Sequence, residues 1–131
     1  MEKKEKKKPL QISEVLDKYL QENYALRYVT TEQITRLLYK PSMYTTVNPR
    51  FKALKDAKYV HAFMLPTVKR FSPFIYAVSA KGCRYLREQN GMDAEDYYKP
   101  SELEELSHAF MWHILQTNDF IIAARNVVGP Q

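Results

Sequence analysis

Between Thr30 and Val78 two short helical patterns run directly into two short strand patterns, and nothing else in the chain restricts its fold as strongly. Thr30-Thr31-Glu32-Gln33 forms a capping box. The threonine side chain accepts an amide hydrogen of the new helix, and the glutamine reaches back to the threonine amide. Ile34, Leu37 and Leu38 supply the apolar face of this helix, and Pro41-Ser42 stops it. A second helix is read over Thr45 to Lys58, TTVNPRFKALKDAK. Asn48-Pro49 serves as its start signal, because asparagine caps open amides and proline has no N–H to lose in a first turn. Val47, Phe51, Leu54 and Ala57 make one stripe, with Thr45, Asn48, Lys52 and Lys55 on or near the opposite face.

Tyr59–Leu65 and Phe74–Val78 are rich in β-branched and aromatic residues and are expected as strands. The loop between them is bounded by Pro66 and Pro73 and carries Lys69-Arg70 at its tip. Two helices joined by a turn, the second one basic, and then a hairpin with a basic tip make a winged helix-turn-helix. The expected fold class is therefore mainly α with a small β-hairpin (α+β): a winged helix-turn-helix plus a long C-terminal helix.

The charge distribution points the same way. Residues 36–87 hold eleven basic side chains and one acid, Asp56, a segment charge of +10, whereas the whole chain carries +5. Acidic stretches, 9–35 and 88–131, flank it. Solubility needs only mixed charge, so a segregated cationic block is the footprint of a phosphate-binding surface.

Outside this block the organisation is simple. Residues 1–9 are a charged run expected as a disordered basic arm. Residues 10–91 form the DNA-binding domain. It opens with an amphipathic helix built on Ile12, Val15, Leu16, Tyr19 and Leu20, capped near Ser13 and ending around Asn23. Ser79 caps a further helix from Ala80 to about Gln89, and Asn90-Gly91 ends it. Residues 92–100 are an acidic linker. A second capping box, Ser101-Glu102-Leu103-Glu104, opens the helix assigned to 101–128. Phe110, Trp112, Ile114, Phe120 and Ile121 spread round this helix over more than one face. A second protomer is the economical partner for the surplus, so a homodimer is expected.

Tyr28-Val29-Thr30-Thr31-Glu32-Gln33-Ile34, together with Tyr76-Ala77-Val78-Ser79-Ala80-Lys81-Gly82, resembles the replication-relaxation family. These are bacterial winged-helix proteins tied to plasmid replication and plasmid DNA relaxation. The likeness covers about residues 10–125. It includes Arg50 to Leu54 in the basic helix, and His108 and the Asn118-Asp119 pair in the last one. The resemblance implies the plasmid context, which the residues by themselves do not.

Catalytic readings fare poorly. The chain has three glycines and no Gly-rich phosphate loop. His108 and His113 stand five apart, out of register for a ligand pair on one helix face, and no His-x-His cluster exists. Tyr97 and Tyr98 are therefore poor candidates for a DNA-cleaving nucleophile and are expected to be aromatics packed on the domain. Cys83 stands among Lys81, Arg84 and Arg87, a setting able to lower a thiol pKa, although a buried filler is the simpler role. One cysteine excludes a disulfide framework and a multi-cysteine zinc site.

The expectation is a sequence-specific double-stranded DNA-binding protein of plasmid replication, relaxation or its transcriptional control, with no cofactor, metal or enzymatic activity. No transmembrane run or secretory signal is read, so the cytoplasm is its expected compartment. The DNA contacts assigned are Thr45, Thr46, Asn48, Arg50, Lys52 and Lys55 in the helix and Lys69 and Arg70 in the wing. The rival reading is a protein-interaction adaptor that recruits a replication partner through its C-terminal helix.

Overall fold

Ser13 starts the first helix, α1 (Glu14–Leu26), by accepting the Leu16 amide on its side-chain oxygen at 3.2 Å. The helix runs past Asn23 because that residue is not a stop. Its buried amide donates instead to the carbonyls of Arg27 and Tyr76, and the chain breaks at Arg27, which takes a left-handed φ of 69°. Val15, assigned to the apolar face, is exposed. A two-residue strand, β1 (Val29–Thr30), follows. It is too short to leave a periodicity in the sequence. The capping box then forms as expected and opens α2 (Thr31–Leu38): Gln33 N–H donates to Thr30 Oγ1 at 3.1 Å and Thr30 N–H to Gln33 Oε1 at 3.2 Å.

A 3₁₀ turn, Pro41–Met43, leads into α3 (Tyr44–Asp56). The Asn48-Pro49 start signal is overturned here: the helix begins four residues earlier, and Pro49 lies inside it. The 3₁₀ turn explains the difference. Its own hydrogen bonds, Met43 N–H to Lys40 O and Tyr44 N–H to Pro41 O, take up the first amides, so no side-chain cap is needed. The side chain of Asn48 is used elsewhere, accepting the Thr31 hydroxyl at 3.2 Å.

Strands β2 (Val60–Phe63) and β3 (Ile75–Val78) pair antiparallel with Val60 opposite Val78, and β1 pairs with the other edge of β3. The sheet order is β1-β3-β2. Helix α4 (Ala80–Asn90) is capped by Ser79 and stops at Gly91 in the left-handed region. Gly82 is obligatory for a different reason, close approach: a Cβ there would stand 2.4 Å from the Tyr59 carbonyl oxygen and 2.6 Å from Val78 Cγ1. The last helix, α5, spans His108–Val128. The computed structural model describes residues 9–64, 74–98 and 108–128. The basic arm before Pro9, the Lys69-Arg70 tip and the 101–104 capping box lie outside them. The described chain is thus mainly helical with a small three-stranded antiparallel sheet, as expected of its class.

One face of the sheet meets the helical core. Phe51 of α3 stacks on Tyr19 of α1 at 5.4 Å and on Tyr76 of β3 at 4.6 Å, with Leu20, Ile34, Val47 and Leu54 filling in around them. The other face meets α5: Ile75 packs with Met111 and Leu115, and Tyr28, Phe63 and Ile114 close around them. All four β3 residues are buried in consequence, which is why FIYAV shows no alternation.

Polar groups lock α5 in place. The buried Asn118 amide donates to the carbonyls of Leu26 and Tyr28, at 3.2 and 2.7 Å. The Gln33 amide donates to Leu115 O and to Asp119 Oδ1, both at 2.9 Å, and Arg36 pairs with the same carboxylate. The segment read as a linker is held too. Ala94 is fully buried, and the Tyr97 hydroxyl accepts from Val78 N–H and donates to Arg27 O.

Two predictions follow from this packing. Asn118→Ala leaves two carbonyls without their donor, so urea unfolding should show a loss of about 1–3 kcal/mol at unchanged slope. Cys83 is wholly buried, and burial pushes its thiol up to about 11, opposite to the lowered value that its basic sequence neighbours imply. At pH 8 it should react with Ellman's reagent no faster than the chain unfolds, and labelling of the native protein at the rate of a free thiol contradicts the assignment.

Candidate nucleic-acid interface

Helix α3 turns one flank inward and one outward. Val47, Phe51 and Leu54 are buried, while Thr45, Asn48, Pro49, Lys52 and Asp56 are exposed along a single outward stripe. The expected recognition residues Thr45, Asn48 and Lys52 therefore stand together. Thr46 and Lys55 are half-buried at the two margins, with the Lys55 ammonium 5.8 Å from the centroid of the Phe74 ring.

Two members of this face were not assigned from the sequence. Pro49 stands near its centre. Asp56, the one acid of the cationic block, stands on it and forms an ion pair with Lys52 at 3.5 Å. Both lie within about one turn of Lys52, three residues before it and four after, so helical spacing puts them on the same stripe.

Arg50 occupies a different flank. Its guanidinium donates to the Tyr19 hydroxyl at 3.0 Å and reaches that of Tyr39 at 3.5 Å. Burial, with the Tyr39 hydroxyl contributing, raises the Tyr19 phenol to about 12, so it stays neutral and accepts the guanidinium hydrogen. Arg50 is expected from the sequence as a DNA contact, but the geometry it occupies is a brace: it ties α3 to α1 and to the end of α2.

The rest of the cationic block divides in the same manner. Arg36 is drawn to Asp119, and Arg87 to the Ala94 carbonyl at 2.7 Å and to Asp96 at 3.8 Å. Lys40 at the start of the α3 region and Lys58, Lys81 and Arg84 at its far end are exposed. Lys81 also closes α3, donating to the Ala57 carbonyl at 2.9 Å and lying over the Tyr59 ring. Twenty-four positions separate those partners, so no local pattern announces the contact. The cations left outward thus flank both ends of the Thr45–Lys52 face.

The remaining chemistry-bearing side chains are placed structurally. Burial raises the Tyr97 phenol far above its ordinary value, and both of its hydroxyl partners are backbone groups. Tyr98 stacks on His61 at 4.3 Å. Among the described residues, no group of three or more His, Cys, Asp or Glu side chains comes together to hold a metal ion. Nor is any described helix long and apolar enough to cross a membrane. On α5, Trp112, Phe110, Phe120 and Ile121 are exposed, whereas Ile114 is half-buried against Ile75, Met111 and Leu115 of its own domain.

Comparison with curated proteins and with solved structures gives no match. A protein-family model does match, over residues 20–127, and it spans the α2 capping box, the α3 face and the Asn118-Asp119 lock together. The chain belongs to the replication-relaxation family.

Proposed function

We propose that the chain is a sequence-specific double-stranded DNA-binding protein of the winged-helix type, acting as a homodimer in plasmid replication, relaxation or its transcriptional control. Its action is binding, without enzymatic turnover. The observation that carries this reading is the outward stripe of α3. Thr45, Asn48 and Lys52 project from a helix whose opposite flank is clamped by Phe51, and exposed lysines stand at both ends. A rigid helix presenting short hydrogen-bonding side chains between cations is suited to a major groove, where amide side chains read adenine edges and lysines grip phosphate.

The topology supports the winged-helix assignment. The order helix, strand, helix, helix, strand, strand, with the last strand central in the sheet, is the order a winged helix requires. Lys69 and Arg70, which lie outside the described residues, fall in sequence between β2 and β3 and are assigned to the wing. The plasmid setting rests on family membership. The compartment this implies is the cytoplasm.

Asn48 is primed for base reading. One lone pair of Oδ1 accepts the Thr31 hydroxyl, which leaves the other lone pair and both amide hydrogens for a base. Lys52 must trade Asp56 for a phosphate on binding, and an exposed pair of this kind contributes at most about 1 kcal/mol, so the trade is cheap.

Two measurements test the proposal. With about six phosphates contacted per protomer, the affinity for duplex DNA should fall with salt along a log–log slope of roughly −5. A slope near zero overturns DNA binding and leaves the adaptor reading. Within the face, Asn48→Ala should relax preference at about one base position by roughly 1–3 kcal/mol. Asp56→Asn, by freeing Lys52 and removing the lone acid, should strengthen binding to all sequences alike. Competition assays on a randomised site separate the two effects, and weaker binding by Asp56→Asn refutes the assigned face.

A further inference from the structure

The outer side of α5 carries a feature that DNA binding leaves unused. Trp112, Gln116, Phe120, Ala123 and Val127 fall within an arc of roughly 80° at 100° per residue, on the flank away from the buried Met111, Leu115, Asn118 and Ile122. All five are exposed, Phe120 at 74% and Val127 at 87%. Apart from His108 and His113, the acidic and basic side chains of α5 are Asp119 and Arg125, and these two reach back to their own domain, Asp119 to Gln33 and Arg36, and Arg125 to Glu22. A solvated helix face carries charge; this one has none.

We infer that this face is a seam that pairs antiparallel with α5 of a second copy of the chain. The inference deepens the homodimer proposed above and rests on it, but not on DNA binding. Three properties select the occupant. Gln116, Phe120, Ala123 and Val127 are spaced by four, three and four residues, the interval at which side chains of one helix enter the gaps of another. A membrane surface instead favours a broad apolar face bordered by Lys and Arg, which α5 lacks.

The face is also self-complementary. Aligned antiparallel, Phe120 meets Ala123 of the second copy, large against small, in two symmetry-related layers. Gln116 and Val127 meet at the ends, where the amide remains within reach of water. With no charge in the seam, two identical copies bring no like charges together. A two-fold pairing of this kind closes on itself and produces a dimer rather than a filament.

Sedimentation equilibrium at micromolar concentration should find the intact chain dimeric. Phe120→Glu and Val127→Glu should be monomeric with an unchanged native circular-dichroism spectrum, since neither side chain is buried. Ile121→Gln, on another flank, should remain dimeric. For direction, a mixture of Phe120→Cys and Ala123→Cys chains should cross-link on mild oxidation, whereas Ala123→Cys alone should not. A monomeric parent removes both the dimer and the seam. A dimeric Phe120→Glu keeps the dimer and overturns this seam, and cross-linking of Ala123→Cys alone overturns the antiparallel direction. The salt slope of duplex binding, measured on the same variants, reports on the DNA reading independently of all three.

Discussion

Phe51 is held between the rings of Tyr19 and Tyr76, and this three-ring column joins α1, α3 and the central strand. The rest of the structure depends on it. A stacked aromatic pair contributes about 0.5–1.5 kcal/mol beyond the area it buries. More important here is that the column fixes the rotation of α3 about its own axis. With Phe51 inward and Val47 and Leu54 beside it, Thr45, Asn48 and Lys52 have one direction in which to point. The orientation of the candidate recognition face is thus a packing result, decided on the buried side of the helix.

The residues behind the family resemblance are largely occupied with holding that arrangement. Gln33 closes the capping box of α2 with its carbonyl oxygen and anchors α5 with its amide. Asn118 satisfies two carbonyls at the α1–β1 junction, and Asp119 gathers Gln33 and Arg36. Gly82 lets α4 approach the Tyr59 backbone. Each answers a local requirement, either a buried polar group that needs a partner or a space that excludes a Cβ. In the described residues the α3 face shares no hydrogen bond with these anchors except through Thr31, so its side chains can vary while the frame persists.

The lock between α2 and α5 also bears on the proposed dimer. Asp119 bonds to two side chains of α2, the helix that precedes the candidate recognition helix. α5 is thereby joined to α2 through a charge-assisted contact and a buried amide. In the proposed dimer, the spacing of the two candidate recognition faces depends on this joint.

Several features were fully determined by the sequence. The Thr30–Gln33 capping box, the Ser13 and Ser79 caps and the Gly91 stop depend on partners within a few residues, so local chemistry suffices to place them. The buried stripe Val47, Phe51 and Leu54 followed from spacing alone, and it delivered Thr45, Asn48 and Lys52 to the opposite side. Tertiary structure decided the rest. The true start of α3 lay in a 3₁₀ turn with no side-chain signature, which set Pro49 inside the helix rather than in its first turn. Whether a cation of the +10 block would brace or remain outward depended on partners far along the chain: Tyr19 for Arg50, Asp119 for Arg36, Ala57 for Lys81. Cys83 shows the same limit in reverse, because its basic neighbours in sequence point outward while burial sets its thiol. Charge and periodicity are properties of a strand of text, but solvent exposure and long-range partners exist only once the chain has folded.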